Sequence, residues 1–235
     1  MHRTTRILSI ALITAGLVIL LDAGITLVWQ EPVSAAYGEI QQGRAGDRLA
    51  EIEDQFAGSD AADVGDLTGE ARIKALAEAF GEQIEKGDPI GRIVIDGIGI
   101  DKVLMNGTDT ATLKSGPGRY PQTPLPGEGG TTGVAGHRTT YGAPFNKINE
   151  IADGDEIRVE MPYAAFTYVV ERHEIVDPER FEIVDPKLNP PSKGERLVLT
   201  ACHPLYSAAQ RWAVFARLRD VETFAISGEG RWPAP

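Results

Sequence analysis

The chain has 235 residues, and its 34 acidic side chains outnumber the 23 basic ones to give a net charge of −11. This length has room for one good-sized domain and some additional segments. Nucleic acid is not expected as a partner, because the chain has no basic stripe that could neutralise phosphates. A single cysteine leaves no pair for an internal disulfide.

The first predicted element is a transmembrane helix over residues 7–29. Its polar interruptions are Ser9, Thr14, Asp22 and Thr26. The segment is long enough to cross a bilayer. Because Arg3 and Arg6 precede it, the positive-inside rule predicts that residues 1–6 are cytoplasmic and that the remainder lies outside the cell. A cleaved signal peptide is the alternative, but its apolar core would be shorter, so an uncleaved anchor is favoured.

Residues 30–66 are predicted to form an acidic, flexible stalk. Large apolar side chains are sparse there, and residues 31–87 hold 13 acidic and 5 basic side chains. Such a composition is typical of a solvated spacer. A dedicated interaction surface is the less favoured alternative.

An amphipathic helix is predicted within residues 67–87. Its apolar side chains share one face, and they are Ile73, Leu76, Phe80 and Ile84. Thr68 can cap the start, and Gly87 begins a Gly-Asp-Pro run that ends the helical pattern. We expect this helix to pack beside the following domain.

Residues 88–221 have the pattern of a β-domain, followed by a C-terminal tail over residues 222–235. Short strands are predicted at 90–95, 98–104, 132–135, 156–161, 166–175, 196–201 and 211–218. One helical turn is predicted at 110–114, and the Gly- and Pro-rich segment 116–130 is predicted to be a loop. Many short strands with few long helices predict an all-β, closed or nearly closed barrel.

Three residues form a candidate catalytic set. Cys202 ends a short, apolar, β-prone run, so its thiol is expected at a strand end. His137 follows another short strand, and Arg211 lies nine positions after the cysteine. A thiol nucleophile, an imidazole that carries a proton and a cation for a developing oxyanion are the groups that acyl transfer needs.

Other interpretations of these residues remain open at this stage. A lone cysteine is more often a small buried hydrophobe than a nucleophile. His203 is the rival base, although adjacent strand residues point to opposite faces, so it is not expected to meet Cys202. A metal site built from Cys202, His203 and His173 fits no known ligand spacing, and we expect neither a metal nor a cofactor.

Two segments of the chain resemble the sortases. They are residues 136–145 (GHRTTYGAPF) and 199–204 (LTACHP), with Arg211 at the expected spacing. More specifically, they resemble the class E sortases of high-GC Gram-positive bacteria. The resemblance covers roughly residues 88–221. Sortases usually carry a Thr-Leu-x-Thr-Cys pattern, in which Val198 and Ala201 replace the two threonines here.

The resemblance implies a fold, a reaction and partners. The fold would be an eight-stranded sortase barrel with short helices, and the roles would be nucleophile for Cys202, general acid and base for His137, and oxyanion stabiliser for Arg211. The enzyme would cut a C-terminal sorting signal of a secreted protein between Thr and Gly. It would then transfer the acyl group to an amine of a cell-wall precursor or a pilin. Class E implies a Leu-Ala-x-Thr-Gly signal rather than one with proline.

Three rival functions compete with this one. Papain-like wall hydrolases also use Cys and His, but their cysteine precedes the histidine. L,D-transpeptidases have a His-Gly-x-x-Cys run, which is absent from the chain. The domain could also be a non-catalytic barrel that binds wall polymer or a partner protein. An inert Cys202 would favour that last hypothesis, and a selectively alkylated one would favour the enzyme.

Overall fold

A computed structural model of the chain describes residues 2–29, 32–185 and 194–223. The α-helices of the described residues are α1 (His2–Trp29), α2 (Pro32–Ala57), α3 (Gly69–Gly81) and α4 (Thr110–Leu113). Of the predicted tail over 222–235, all but the first two residues lie outside the described part.

The described residues form eight strands that close into a barrel. The strands are β1 (Pro89–Ile95), β2 (Ile100–Asn106), β3 (Gly118–Arg119), β4 (Thr131–Gly136), β5 (Glu156–Met161), β6 (Ala164–Val176), β7 (Arg196–His203) and β8 (Gln210–Thr223). Their order around the barrel is β1-β2-β3-β4-β7-β8-β6-β5. The β2–β3 and β4–β7 pairs are parallel. The predicted all-β, eight-stranded barrel is therefore confirmed.

The strands agree closely with the sequence pattern except at β3. A turn over Asp96–Ile98 joins β1 to β2, and Gly99 then takes a left-handed φ of 67°, which glycine adopts without strain. The one-turn helix expected at 110–114 is α4. Strand β3 lies inside the segment predicted to be a loop. It has only 2 residues, too few to produce an alternating pattern.

Strand β7 presents its odd and even residues to different sides of the barrel wall. Leu197, Leu199 and Ala201 pack in the main core. Val198 instead joins a small cluster with Val184 and Phe215 on the outer face. Because side chains alternate along a strand, Cys202 shares the outer face with Val198.

The flexible stalk predicted for residues 30–66 is wrong over most of its length, because Pro32–Ala57 form helix α2. The buried side chains of α2 recur at helical spacing, and they are Ala45, Leu49, Ile52 and Phe56. Ala45 and Leu49 pack against Val103 and Met105 of strand β2. This narrow apolar stripe holds the helix on the barrel although the segment is polar on average.

Helix α3 packs as the sequence predicts, although it is shorter than the predicted segment. Ile73, Leu76 and Phe80 are buried. The Phe80 ring contacts the Phe56 ring of α2, with the centroids 5.2 Å apart. Thr68 stands at the N-cap position, but its side chain makes no capping hydrogen bond. Helices α2 and α3 therefore close over the barrel core together.

Helix α1 is the one helix of the described residues that is long and apolar enough to cross a membrane. Its 18-residue window Thr4–Leu21 has a mean hydropathy of 2.1. None of that window is buried against the remainder of the described chain. The helix therefore fits a membrane anchor by length and composition.

Candidate active site

The barrel register places His137, Cys202 and Arg211 side by side. Strand β7 lies between β4 and β8. Gly136, the last residue of β4, is opposite Ala201 of β7, so His137 and Cys202 are the next residues on each strand. Cys202 is in turn opposite Arg211 of β8. The three predicted residues therefore meet at one end of three adjacent strands.

Cys202 carries a free, half-buried thiol. Strand β7 ends one residue later, at His203. The turn that follows exposes two large side chains, Leu205 (44%) and Tyr206 (58%). The thiol therefore lies at a strand end on the outer face of the barrel, where a peptide can approach it.

His137 is half-buried, and one of its ring nitrogens is unpaired. Nε2 is buried and has no hydrogen-bond partner among the described residues. Burial lowers the pKa of His137, and the nearby positive charge of Lys114 lowers it further. The ring lies 5.1 Å from the Tyr141 ring, measured between centroids. This environment favours a neutral imidazole that can accept a proton.

Arg211 binds the turn between β7 and β8. Its Nη1 donates to the carbonyl oxygens of Ala208 (3.0 Å) and Gln210 (2.9 Å). These two bonds use only one nitrogen of the guanidinium. The described residues give its Nε and Nη2 no hydrogen-bond partner, so these donors are available to another acceptor.

His203 follows Cys202 but has a different environment. Its Nδ1 lies 3.0 Å from Nη1 of Arg138. Because a guanidinium only donates, Nδ1 must be the acceptor, which fixes the ring in one tautomer. The other side of the ring contacts Trp212, with the centroids 5.4 Å apart. His203 therefore already has partners that His137 lacks.

Arg138 is a residue of this site that the sequence pattern does not single out. It is only 5% exposed, and it reaches from the end of β4 to the end of β7. Its Nη1 also donates to the Cys202 carbonyl oxygen, at 3.3 Å. The one signal in the sequence is its position next to His137, because its partners lie far along the chain.

The described residues contain no group of three or more His, Cys, Asp and Glu side chains that could hold a metal ion. His173 lies apart from Cys202 in strand β6. Its Nε2 is 3.1 Å from a carboxylate oxygen of Asp153. The three residues considered as metal ligands are therefore not brought together.

Comparison with known proteins agrees with the geometry. The Sortase domain family matches residues 93–219. The chain belongs to the sortase family. Sortase SrtE2 of Streptomyces coelicolor is 30% identical over 229 residues, which cover 93% of this chain and 82% of that protein. Sortase D of Bacillus subtilis is 29% identical over 136 residues, which cover 57% of this chain and 65% of that protein. The chain thus spans less than two thirds of Sortase D.

Solved sortase structures share the barrel. Sortase E from Streptomyces avermitilis matches with a TM-score of 0.53 and 32% identity, covering 60% of this chain and 93% of that one. The SrtF sortase from Corynebacterium diphtheriae matches with a TM-score of 0.57 and 26% identity, covering 60% of this chain and 89% of that one. Together with SrtE2, the first of these confirms the class E resemblance.

The two positions at which this sortase departs from the usual threonine pattern face different sides of strand β7. Val198 packs in the outer cluster, and Ala201 faces the main core, so a hydroxyl at position 201 would point inward. Thr200 lies two residues before Cys202 on the same face of β7. Its Oγ1 lies 2.9 Å from the Tyr120 hydroxyl. The face of β7 that carries the thiol therefore has a threonine hydroxyl at position 200.

Proposed function

We propose that this sortase is a membrane-anchored cysteine transpeptidase. The observation that carries the proposal is the row of His137, Cys202 and Arg211 across three adjacent strand ends. The unpaired imidazole nitrogen and the unused guanidinium donors support it, because catalytic groups must keep hydrogen-bonding capacity for the substrate.

In the first half-reaction, neutral His137 takes the proton of the Cys202 thiol, and the resulting thiolate attacks the carbonyl carbon of the threonine in a C-terminal sorting signal. The carbonyl electrons move to oxygen, and Arg211 stabilises the oxyanion. When the carbonyl re-forms, the C–N bond between Thr and Gly breaks, and protonated His137 gives its proton to the leaving amine. The products are a thioester on Cys202 and the released C-terminal peptide.

In the second half-reaction, an amine attacks the thioester carbon. Neutral His137 takes the proton of that amine, Cys202 leaves as a thiolate, and His137 then returns the proton to Cys202, so the enzyme is regenerated. Burial and Lys114 lower the pKa of His137, which suits it to this basic step. The acceptor is an amine of a peptidoglycan precursor or of a pilin, and the signal is of the LAxTG or LPxTG type.

The proposed location is the outer face of the cell membrane. Helix α1 would be the single span, with residues 1–6 in the cytoplasm and the barrel outside. The Tyr141 amide donates to Ser34 Oγ at 3.2 Å, and Ser34 is five residues after Trp29. Five residues reach at most about 18 Å. The loop after His137 would therefore lie close to the membrane, which favours sorting signals that are still held there.

A turnover assay tests the reaction. Full-length protein in detergent is incubated with an LAxTG or LPxTG peptide and a short glycine peptide as the amine. We expect a product in which the glycine peptide replaces everything after threonine. Cys202→Ala should give no product. Absence of product with the unmodified chain, for both signals, would contradict the proposal.

The single cysteine also provides a topology test. A membrane-impermeant maleimide is applied to intact and to permeabilised cells, and labelling of Cys202 is measured. Equal labelling in both is expected if the barrel lies outside. Labelling only after permeabilisation would reverse the orientation, and no labelling in either would favour the non-catalytic barrel.

A further inference from the structure

A pocket rich in arginine lies on the outer face of the barrel, near the start of strand β7. It has a volume of about 170 Å³ and is formed by strands β4, β6, β7 and β8 together with the 3-10 turn Phe181–Val184. Its cationic side chains are Arg172, Arg180 and Arg196. Arg196 is the first residue of β7, and alternation along the strand places it on the same face as Cys202. The pocket and the thiol therefore lie on one surface.

Two of the three arginines already have carboxylate partners. Nη1 of Arg172 lies 2.7 Å from a carboxylate oxygen of Glu174, and its guanidinium carbon lies 3.6 Å from the centroid of the Phe215 ring. Arg180 pairs with the same Glu174 and, through Nε at 3.1 Å, with Glu182, whose side chain also lines the pocket. These contacts hold both guanidiniums in place and compensate their charges, so Arg172 and Arg180 shape the pocket walls.

Arg196 differs from both, because no carboxylate in the described ranges forms an ion pair with it. The side chain is half-buried, and its Nε is buried without a hydrogen-bond partner in that part of the chain. Thr131 lies directly opposite on β4. It is only 1% exposed, and its Oγ1 also has no partner among the described residues. Buried polar groups of this kind are rare unless they serve a ligand, and a free guanidinium is matched in shape and charge by a carboxylate.

The distance between the pocket and the thiol suits one part of a sorting signal. Residues rise about 3.3 Å along a strand, so Val198 lies about 13 Å and Arg196 about 20 Å from Cys202. In the LAxTG or LPxTG signal, leucine precedes threonine by three residues, which span about 10 Å when extended. The outer apolar cluster, which contains Val184, Val198 and Phe215, lies where that leucine needs an apolar contact. The residues before the leucine then continue towards Arg196.

We propose that this pocket is a subsite for an acidic side chain that lies one to three residues before the leucine of the sorting signal, with Arg196 as its cation. The inference deepens the proposed function and rests on a sorting signal reaching Cys202. The chain as a whole has a net charge of −11, so its overall field disfavours acidic peptides. A preference for acidic residues at these positions must therefore come from a local site.

The measurement is peptide affinity for the full-length Cys202→Ala protein in detergent, which binds a signal without cutting it. Fluorescent LAxTG and LPxTG peptides carry either three glutamates or three glutamines before the leucine. We expect the glutamate form of the bound signal to bind about tenfold more tightly. Adding Arg196→Gln should remove this preference and leave the affinity for the glutamine form unchanged, which also shows that the variant is folded. Arg219→Gln is the matched control and should keep the preference, because Arg219 pairs with Glu156 outside the pocket.

Equal affinity for the glutamate and glutamine forms, or an equal loss of preference in Arg196→Gln and Arg219→Gln, would overturn the inference. With Cys202 intact, Arg196→Gln should raise KM for the glutamate form and leave kcat unchanged. If the preference is found but no chain turns over peptide, the subsite stands and the proposed reaction fails. If turnover is normal and the preference is absent, the opposite conclusion holds. Failure of every peptide to bind would contradict both.

Discussion

Strand β7 begins beside the carboxylate of Glu195 and ends beside the guanidinium of Arg138, and the polar groups at the two ends have different hydrogen-bond partners. At the start, Glu195 accepts from the Tyr168 hydroxyl (2.5 Å) and from the Gly127 amide (3.0 Å). At the other end, Nε2 of His137 is buried without a partner in the described part of the chain. Arg138 there has only neutral acceptors.

Buried unpaired atoms occur at both ends, among them Arg196 Nε at the start of β7. The difference therefore concerns Glu195 and His137 themselves, and it indicates separate roles for these two residues. Satisfied polar groups stabilise a fold, whereas unsatisfied buried ones are rare unless they serve a ligand or a reaction. Glu195 should therefore matter for stability, and His137 for turnover. The comparison would be wrong if substitution of Glu195 reduced turnover and substitution of His137 reduced only stability.

The largest expected effect is at the proposed base. His137→Ala should reduce transpeptidation by about 10²–10⁴-fold, which is the usual contribution of a general acid or base. His203→Ala is the matched control and should lose much less, because its Nδ1 is already bonded to Arg138. Steady-state turnover of both variants is the measurement. A larger loss in His203→Ala would mean that the proton carrier is wrongly assigned.

Arg211 comes next. Arg211→Ala should lower the rate by about 10²–10³-fold, as for removal of one oxyanion donor. Arg211→Lys should recover only part of the loss, because lysine keeps the charge but not the planar fork. Turnover and a thermal melt are measured together. Near-full activity of the lysine variant would show that charge alone suffices, and an unfolded alanine variant would make the residue structural.

A smaller effect is expected where α2 touches the loop after His137. A Cβ on Gly38 would lie 2.6 Å from the carbonyl carbon and oxygen of Tyr141, whereas one on Gly43 would meet nothing within 4 Å. Gly38→Ala should therefore displace this loop and reduce turnover several-fold. Gly43→Ala should keep full activity and stabilise the helix by about 0.5–1 kcal/mol. Equal activity of the two variants would show that the contact does not position His137.

The last effect concerns stability alone. Burial raises the pKa of Glu195, so its contribution to folding is complete below the unfolded-state pKa and is lost as pH rises through the folded-state pKa. A folded-state pKa that lies one pH unit above the unfolded-state pKa corresponds to about 1.4 kcal/mol of unfolding free energy. Urea unfolding should show the unmodified chain losing stability relative to Glu195→Gln as pH rises. A constant difference, or reduced turnover of folded Glu195→Gln, would contradict this assignment.

The barrel could be predicted because its signals are local. Alternating apolar residues and Gly-rich turns mark seven of the strands, and the two motif segments carry His137 and Cys202. The position of β7 between β4 and β8 is a long-range property, which periodicity does not reveal. The resemblance to sortases therefore supplied the grouping of the site residues that local pattern could not.

Two features were missed for physical reasons. Helix α2 buries Leu49, Ile52 and Phe56, but polar residues separate them, and average composition hides so narrow a stripe. Arg138 looks like an ordinary surface charge, because Cys202 and His203 are more than sixty residues away. Its burial is decided by tertiary contacts alone.

The central claim is that Cys202 becomes acylated by a sorting signal. The most direct test is intact-mass spectrometry of the full-length protein after incubation with an LAxTG or LPxTG peptide and no added amine. The account predicts a mass increase equal to the peptide up to threonine, mapped to Cys202 and removed by adding an amine. An unmodified Cys202 beside uncleaved peptide, or an adduct on another residue, would contradict it.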